Sequence, residues 1–172
     1  MKTNREKEFF PTPAWATEAL LTKEEFHSFV WEPACGDGAI SEVLSKHGYI
    51  VKSTDLHDHG CGQPGIDFKD CHTAGYDIVT NPPFSLAEMF IRHGLTLAHN
   101  KLAMLLRLAF LEGQVKGKDL FVYHPPSRVW VFSKRVTFYP KGAEVKSSGT
   151  QAFAWYVWDK EHTGPTQLGW LA

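Results

Sequence analysis

Asn81-Pro82-Pro83-Phe84 ends an apolar run that begins at Tyr76. Neither proline has a backbone N–H to donate. A chain that ends a strand this way presents bare carbonyls, one amide side chain and one aromatic ring on a stiffened tip. The tip offers no acid, base or covalent nucleophile. Two other short segments have ligand-binding character. In EPACGDG, Glu32 to Gly38, Gly36 and Gly38 let the backbone pass close to a ligand, ahead of a helical pattern whose N-terminus can hold a carboxylate. Asp55 lies about 20 residues further on, a spacing at which an acid can bind ribose hydroxyls.

Each tip needs a strand behind it, and the chain supplies alternating strands and helices. FVWEPACGDGAI is an apolar run entering a glycine-rich turn, YIVKSTD a second strand ending in an acid, YDIVTN a third, and KLAMLLRL suits a buried parallel strand. Helical patterns lie between them. TPAWATEALL offers Thr12 as N-cap with Pro13 at the first helical position. ISEVLSKHG puts Ile40, Val43 and Leu44 on one face, with Gly48 as a stop. SLAEMFIRHGLTLA opens on a capping box, Ser85 to Glu88. Beyond these, RVWVFS, RVTFYP and FAWYVWD are β-branched or aromatic and separated by turn residues, which predicts antiparallel strands at the end of an α/β sheet. Ligands of open α/β sheets bind beyond the carboxyl ends of the strands, where these three tips belong.

Composition narrows the class. The 172 residues are 43% hydrophobic and 22% charged, ordinary for a globular chain. No apolar run reaches a membrane span, the start MKTNREKEFFPTP lacks the apolar segment of a secretory signal, and three cysteines argue against a disulfide framework. These features predict a cytoplasmic protein. Residues 101–146 hold nine basic and three acidic residues against nine and sixteen elsewhere, and a polyanion could lie along the cations Lys116, Lys118, Arg128, Lys134, Arg135, Lys141 and Lys146. His57, His59, Cys61, Cys71 and His72 form no CxxC pair and no regular spacing, so no metal is expected and the histidines are read as solvated loop residues.

The order FFPTP, EPACGDG, STDL, GIDF, TNPPF resembles the amino-methyltransferases that use S-adenosylmethionine. The resemblance covers nearly the whole chain and is nearest to the small phage and prophage DNA adenine-N6 methyltransferase-like family, through LLRLAFLEG, HPPSRVWVFSKR and GTQAFAWYVW as well. It implies a Rossmann-like class I methyltransferase fold: a mostly parallel seven-stranded sheet, helices on both faces, an antiparallel strand near its end. It implies that Asn81, Pro82, Pro83 and Phe84 are the catalytic motif. In that role Asn81 Oδ1 and the Pro82 carbonyl would hold the two hydrogens of a planar amino group, and Phe84 would stack on the base. Toward the cofactor, Glu32 would meet the methionine amine, with Ala34, Gly36 and Gly38 beside the methionine half. Thr12 and Pro13 would close over it near the carboxylate. Asp55 would take the ribose hydroxyls and Leu56 the adenine ring. Asp67, with Asp70 as its neighbouring rival, would accept from the adenine amine, and Phe68 would lie beside the ring. Cys35 is given to packing.

The expected reaction is N6-methylation of adenine in DNA, held through the basic segment 101–146. RNA or a protein glutamine is the alternative substrate, and a non-catalytic cofactor- or nucleic-acid-binding module the alternative class. Glu112 to Arg128 is too short for a target-recognition domain, so residues 1–172 are read as one methyltransferase domain to which a partner protein could bring recognition. If the family's origin applies, the compartment is the cytoplasm of a bacterial host. A base in duplex DNA must leave the stack to reach Asn81.

Overall fold

The computed structural model describes residues 10–112, 119–138 and 151–172. Strand β4 (Lys101–Arg107) carries five consecutive buried residues, Leu102 to Leu106. Side chains alternate along a strand, so Leu102, Met104 and Leu106 enter one core and Ala103 and Leu105 the other. β6 (Phe153–Asp159) divides the same way, with Ala154, Tyr156 and Trp158 facing one core and Phe153, Trp155 and Val157 the opposite one. A strand covered on both faces has to be apolar throughout. Each large side chain buried there contributes about 1.5–3 kcal/mol relative to exposure.

The remaining strands are β1 (Phe29–Glu32), β2 (Ile50–Ser53), β3 (Asp77–Thr80), β5 (Arg128–Phe132) and β7 (Gln167–Leu171). The seven form one sheet in the order β2-β1-β3-β4-β6-β5-β7. All run the same way except β6, which is antiparallel to both β4 and β5. Helices α1 (Ala14–Leu21) and α2 (Ala39–Lys46) bury Ala16, Leu20, Ile40 and Leu44 against one face. Helices α3 (Ala87–Leu97) and α4 (Leu120–Tyr123) bury Phe90, Ile91 and Leu120 against the other. No helix among the described residues is long and apolar enough to cross a membrane. The sheet is therefore seven-stranded, mostly parallel and covered on both faces, as the resemblance implies.

Register sets the three tips side by side. Glu32 pairs with Ser53 across β1 and β2, and Trp31 pairs with Ile78 across β1 and β3. The chain leaves all three strands at one end of the sheet. At the other end the buried Asp77 carboxylate accepts from the backbone N–H groups of His27 (2.8 Å), Asn100 (2.9 Å) and Lys101 (2.8 Å), which fixes the entries to β1, β3 and β4.

Four local expectations need correction. Helix α1 starts at Ala14, with Pro13 in the capping position, and its first bond runs from the Ala16 N–H to the Pro13 carbonyl at 2.9 Å. Thr12 is thereby free for a different partner. The capping position of α3 falls to Leu86 and not to Ser85, because a 3-10 turn at Phe84–Leu86 precedes the helix. Glu88 instead accepts from Arg92 at 3.0 Å. Arg135 to Phe138 form no strand, and the remainder of RVTFYP lies outside the described residues. The place beside β5 belongs to β7, a strand that the apolar pattern of the sequence does not announce. Its central Gly169 looks like a breaker. Yet a Cβ there would meet the Trp130 ring at 2.2 Å, so close packing of the two strands requires glycine.

Candidate active site

A cleft of about 850 Å³, open solvent included, lies at the carboxyl ends of β1, β2 and β3. Thr12, Glu32, Ala34, Gly36, Asp55, Leu56, Asp67, Phe68, Asn81 and Pro83 all line it. Four residues of the expected set do not. Pro13 faces an adjoining groove with Arg135, Pro82 is buried, Gly38 turns the chain into α2, and Phe84 lines a neighbouring cavity.

The glycine-rich turn is built for close approach. Gly36 and Gly38 have φ of 53° and 85°, the left-handed region that side chains disfavour. A Cβ on Gly38 would also stand 2.5 Å from Cys61 Sγ. Asp55 links this turn to the next one. Its Oδ2 accepts from the Gly36 N–H at 2.9 Å and its Oδ1 from the His57 N–H at 2.8 Å. The carboxylate is thus oriented by backbone donors, and each oxygen keeps acceptor capacity.

Glu32 is 2% exposed, and its carboxylate accepts from Ser41 Oγ, which in turn lies 2.6 Å from Ser53 Oγ. No cationic side chain pairs with it among the described residues. Burial pushes its carboxyl well above the usual carboxylate range, against the opposing pull of the Ser41 hydrogen bond. Cys35 is buried beside it, its thiol pushed up to about 12 chiefly by burial, which supports packing over chemistry. Asp67 caps the 3-10 turn at Phe68–Asp70 by accepting from the Lys69 N–H, and it lines the cleft where Asp70 does not. Phe68 shows the cleft one edge while packing on Trp31 and Phe90, with ring centroids at 5.3 and 4.6 Å.

Asn81 is held by contacts that no local pattern announces. Its Nδ2 donates to the Phe10 carbonyl at 3.2 Å and to Thr12 Oγ1 at 3.0 Å. A backbone carbonyl only accepts, so the amide nitrogen must face it and the orientation of the side chain is fixed. Oδ1 is then left buried with no hydrogen-bond partner among the described residues. A buried acceptor left unpaired costs about 1–3 kcal/mol. Phe10 carries a second role, since its ring stacks on Phe84 with centroids 5.9 Å apart.

His57 and His59 also line the cleft and are not the solvated loop residues that their irregular spacing suggests. The return of their loop, through the Thr54–Gln63 bridge and the close approach of Gly62 to the Ser53 carbonyl, brings them in. Among the described residues no three His, Cys, Asp or Glu side chains gather where they could hold a metal ion.

The basic segment divides between the two ends of the sheet. Arg128 pairs with the buried Glu24 and with Asp159 at 2.7 Å, and Lys101 reaches the same Glu24 at 3.0 Å. Trp130 Nε1 donates to that carboxylate as well, at 2.9 Å. Arg128 is therefore an internal ion-pair residue remote from the cleft and not part of a phosphate-binding face. Lys134 and Arg135, beyond the far end of β5, lie on the cleft side: Lys134 sits 4.0 Å from the Trp15 ring, and Arg135 lines the groove with Pro11 and Thr12. Lys116, Lys118, Lys141 and Lys146 lie outside the described residues.

No protein-family model and no curated relative matches the chain. Solved structures do. A type I restriction-modification system methyltransferase subunit from Streptococcus thermophilus matches with a TM-score of 0.64 at 14% identity, over 90% of this chain and 45% of its own. A protein described as an RNA methyltransferase from Pyrococcus horikoshii matches at 0.61 and 13% identity, over 86% and 80%. Magnesium protoporphyrin IX methyltransferase from Synechocystis PCC 6803, solved with S-adenosylmethionine bound, matches at 0.54 and 14% identity, over 85% and 77%. The chain spans less than half the length of the restriction-modification subunit. The three act in different settings on one architecture, and the chain has that architecture: the Rossmann-like fold of the class I methyltransferases.

Proposed function

We propose that this chain is an S-adenosylmethionine-dependent N-methyltransferase whose substrate is the N6 amino group of adenine in DNA. The observation that carries the reading is the buried, unpartnered Oδ1 of Asn81 beside the cleft. An acceptor oriented by two bonds through its own nitrogen, and left unsatisfied, suits a hydrogen that arrives with a substrate.

The cleft fits the cofactor. Glu32 is a buried carboxyl with no cationic partner among the described residues, and the methionine half carries an ammonium. Asp55 offers two oriented oxygens to a ribose, and the left-handed Gly36 turn leaves room for backbone approach. S-adenosylmethionine, when bound, supplies a methyl group already activated by its sulfonium. The chain's own residues then position the acceptor. An adenine amino nitrogen is a poor nucleophile because its lone pair is delocalised into the ring. Asn81 Oδ1 accepts one of its hydrogens and the Pro82 carbonyl the other, which favours a pyramidal nitrogen with the lone pair free. Asn81 does this without changing protonation state. Phe84 stacks on the base, and the proton leaves after transfer, when the methylated nitrogen is acidic. The DNA assignment rests on the motif order and on the cations beside the cleft, Lys134 and Arg135.

Asn81→Ala tests the reading. It should keep cofactor affinity within a few-fold and lower turnover at least about a hundredfold, since it deletes an acceptor used at the reacting nitrogen. Full turnover in the variant would reject the mechanism.

A further inference from the structure

Arg107 stands at the last position of β4, and its guanidinium carbon lies 4.5 Å from the centroid of the Phe84 ring. The side chain is exposed, and among the described residues no carboxylate pairs with it. This sets it apart from Lys101 and Arg128, which are neutralised at the other end of the sheet. A guanidinium is planar, stacks on aromatic faces and grips phosphate through two parallel N–H groups. Phe84 and Arg107 together line a cavity with Ala87, Leu106 and Phe110, and Pro83 and Leu86 of the same turn line the cofactor cleft.

We infer that Arg107 binds the phosphate of the target nucleotide and, in the free protein, rests on the face of Phe84 that the target base takes. The inference depends on the methyltransferase reading above. A planar cation covering the ring keeps an apolar surface out of water until a base arrives. When the base stacks on Phe84, the guanidinium is displaced by a side chain's length, which brings it toward the backbone of the same nucleotide. No other described cation contacts this ring, so the step from base to phosphate at the target position falls to Arg107.

The test uses the whole chain and a mixed-sequence single-stranded DNA 20-mer carrying 2-aminopurine, titrated from low to moderate salt. Arg107→Ala should bind about tenfold more weakly at low salt and flatten the slope of log affinity against log salt by about 0.7, the value for one phosphate contact on a single strand. Arg107→Lys should keep that slope, because it keeps the charge. At saturation the base should still be quenched in Arg107→Ala and lose its quenching in Phe84→Leu. Cofactor affinity and melting temperature should stay at wild-type values in both Arg107 variants. An unchanged slope in Arg107→Ala overturns the inference, as does loss of quenching, which would make Arg107 a base contact. Equal weakness of Arg107→Lys with a lowered melting temperature also overturns it, in favour of a structural role. If the wild type transfers no methyl group to nucleic acid, the methyltransferase reading falls first. If transfer is intact and the Arg107→Ala slope is unchanged, the inference alone fails.

Discussion

Glu32 and Asp55 show how one cleft treats two carboxylates differently. Asp55 is oriented by two backbone donors, whereas burial dominates the environment of Glu32 over the bonds it accepts from Ser41. A carboxyl raised by burial stays protonated in the folded state after it has ionised in the unfolded chain. Stability should therefore fall as pH rises above the ordinary carboxylate range, until Glu32 itself ionises. Glu32→Gln should remove that fall, as read from the difference in urea midpoints between pH 4.5 and 7.5; an identical pH dependence in both proteins would refute it. Asp55→Ala should weaken cofactor binding tenfold or more, because hydrogen bonds to a charged group are worth roughly 1.5–3 kcal/mol each. Calorimetry showing equal affinity would remove Asp55 from the site.

At the scale of elements, the turn between β1 and α2 is the most constrained segment. Gly38→Ala would put a side chain at φ of 85° and against Cys61. A loss of roughly 1–3 kcal/mol of stability is expected from the strained backbone, measurable by denaturant unfolding; a neutral variant would mean the turn relaxes. Most elements were legible beforehand, since β1 to β4 and the helices between them follow the apolar periodicity, and the three tips came from motif order. What escaped has a common cause. The bonds holding Asn81 reach Phe10 and Thr12, about 70 residues away, and no local pattern encodes a partner at that distance. The roles of Pro13 and Ser85 shifted by a residue or a turn because the chain enters α1 and α3 from the site itself. β7 was missed because its glycine serves Trp130 on a strand that precedes it by some 40 residues.

The whole molecule separates its charges along the strand direction. Arg128 and Lys134 are neighbours in sequence, but β5 runs between them, roughly 15 Å of extended chain. Burial pushes the Glu24 carboxyl up, yet bonds from Arg128, Trp130 and Lys101 outweigh it and hold the group below its usual range. That stabilisation is present above the ordinary carboxylate pKa and is lost as pH falls through the lowered value. Arg128→Ala should lower stability by less than the about 3–5 kcal/mol of a fully stranded buried charge, because Lys101 and Trp130 still hold Glu24, with no change in the salt dependence of DNA binding. Replacing Lys134 and Arg135 together by Ala should do the reverse, costing no more than about 1 kcal/mol through the lost Lys134–Trp15 contact and flattening the salt slope by roughly 1–2 units. A single slope change shared by both variants would contradict this division. The central claim is the reaction, and it is tested most directly by incubating the chain with methyl-deuterated S-adenosylmethionine and separate pools of DNA, RNA and protein, then identifying labelled nucleosides and peptides by mass spectrometry. The account predicts labelled N6-methyladenine in DNA from the wild type and at least about a hundredfold less from Asn81→Ala; labelled glutamine, or a wild type that binds the cofactor and labels no pool, would contradict it.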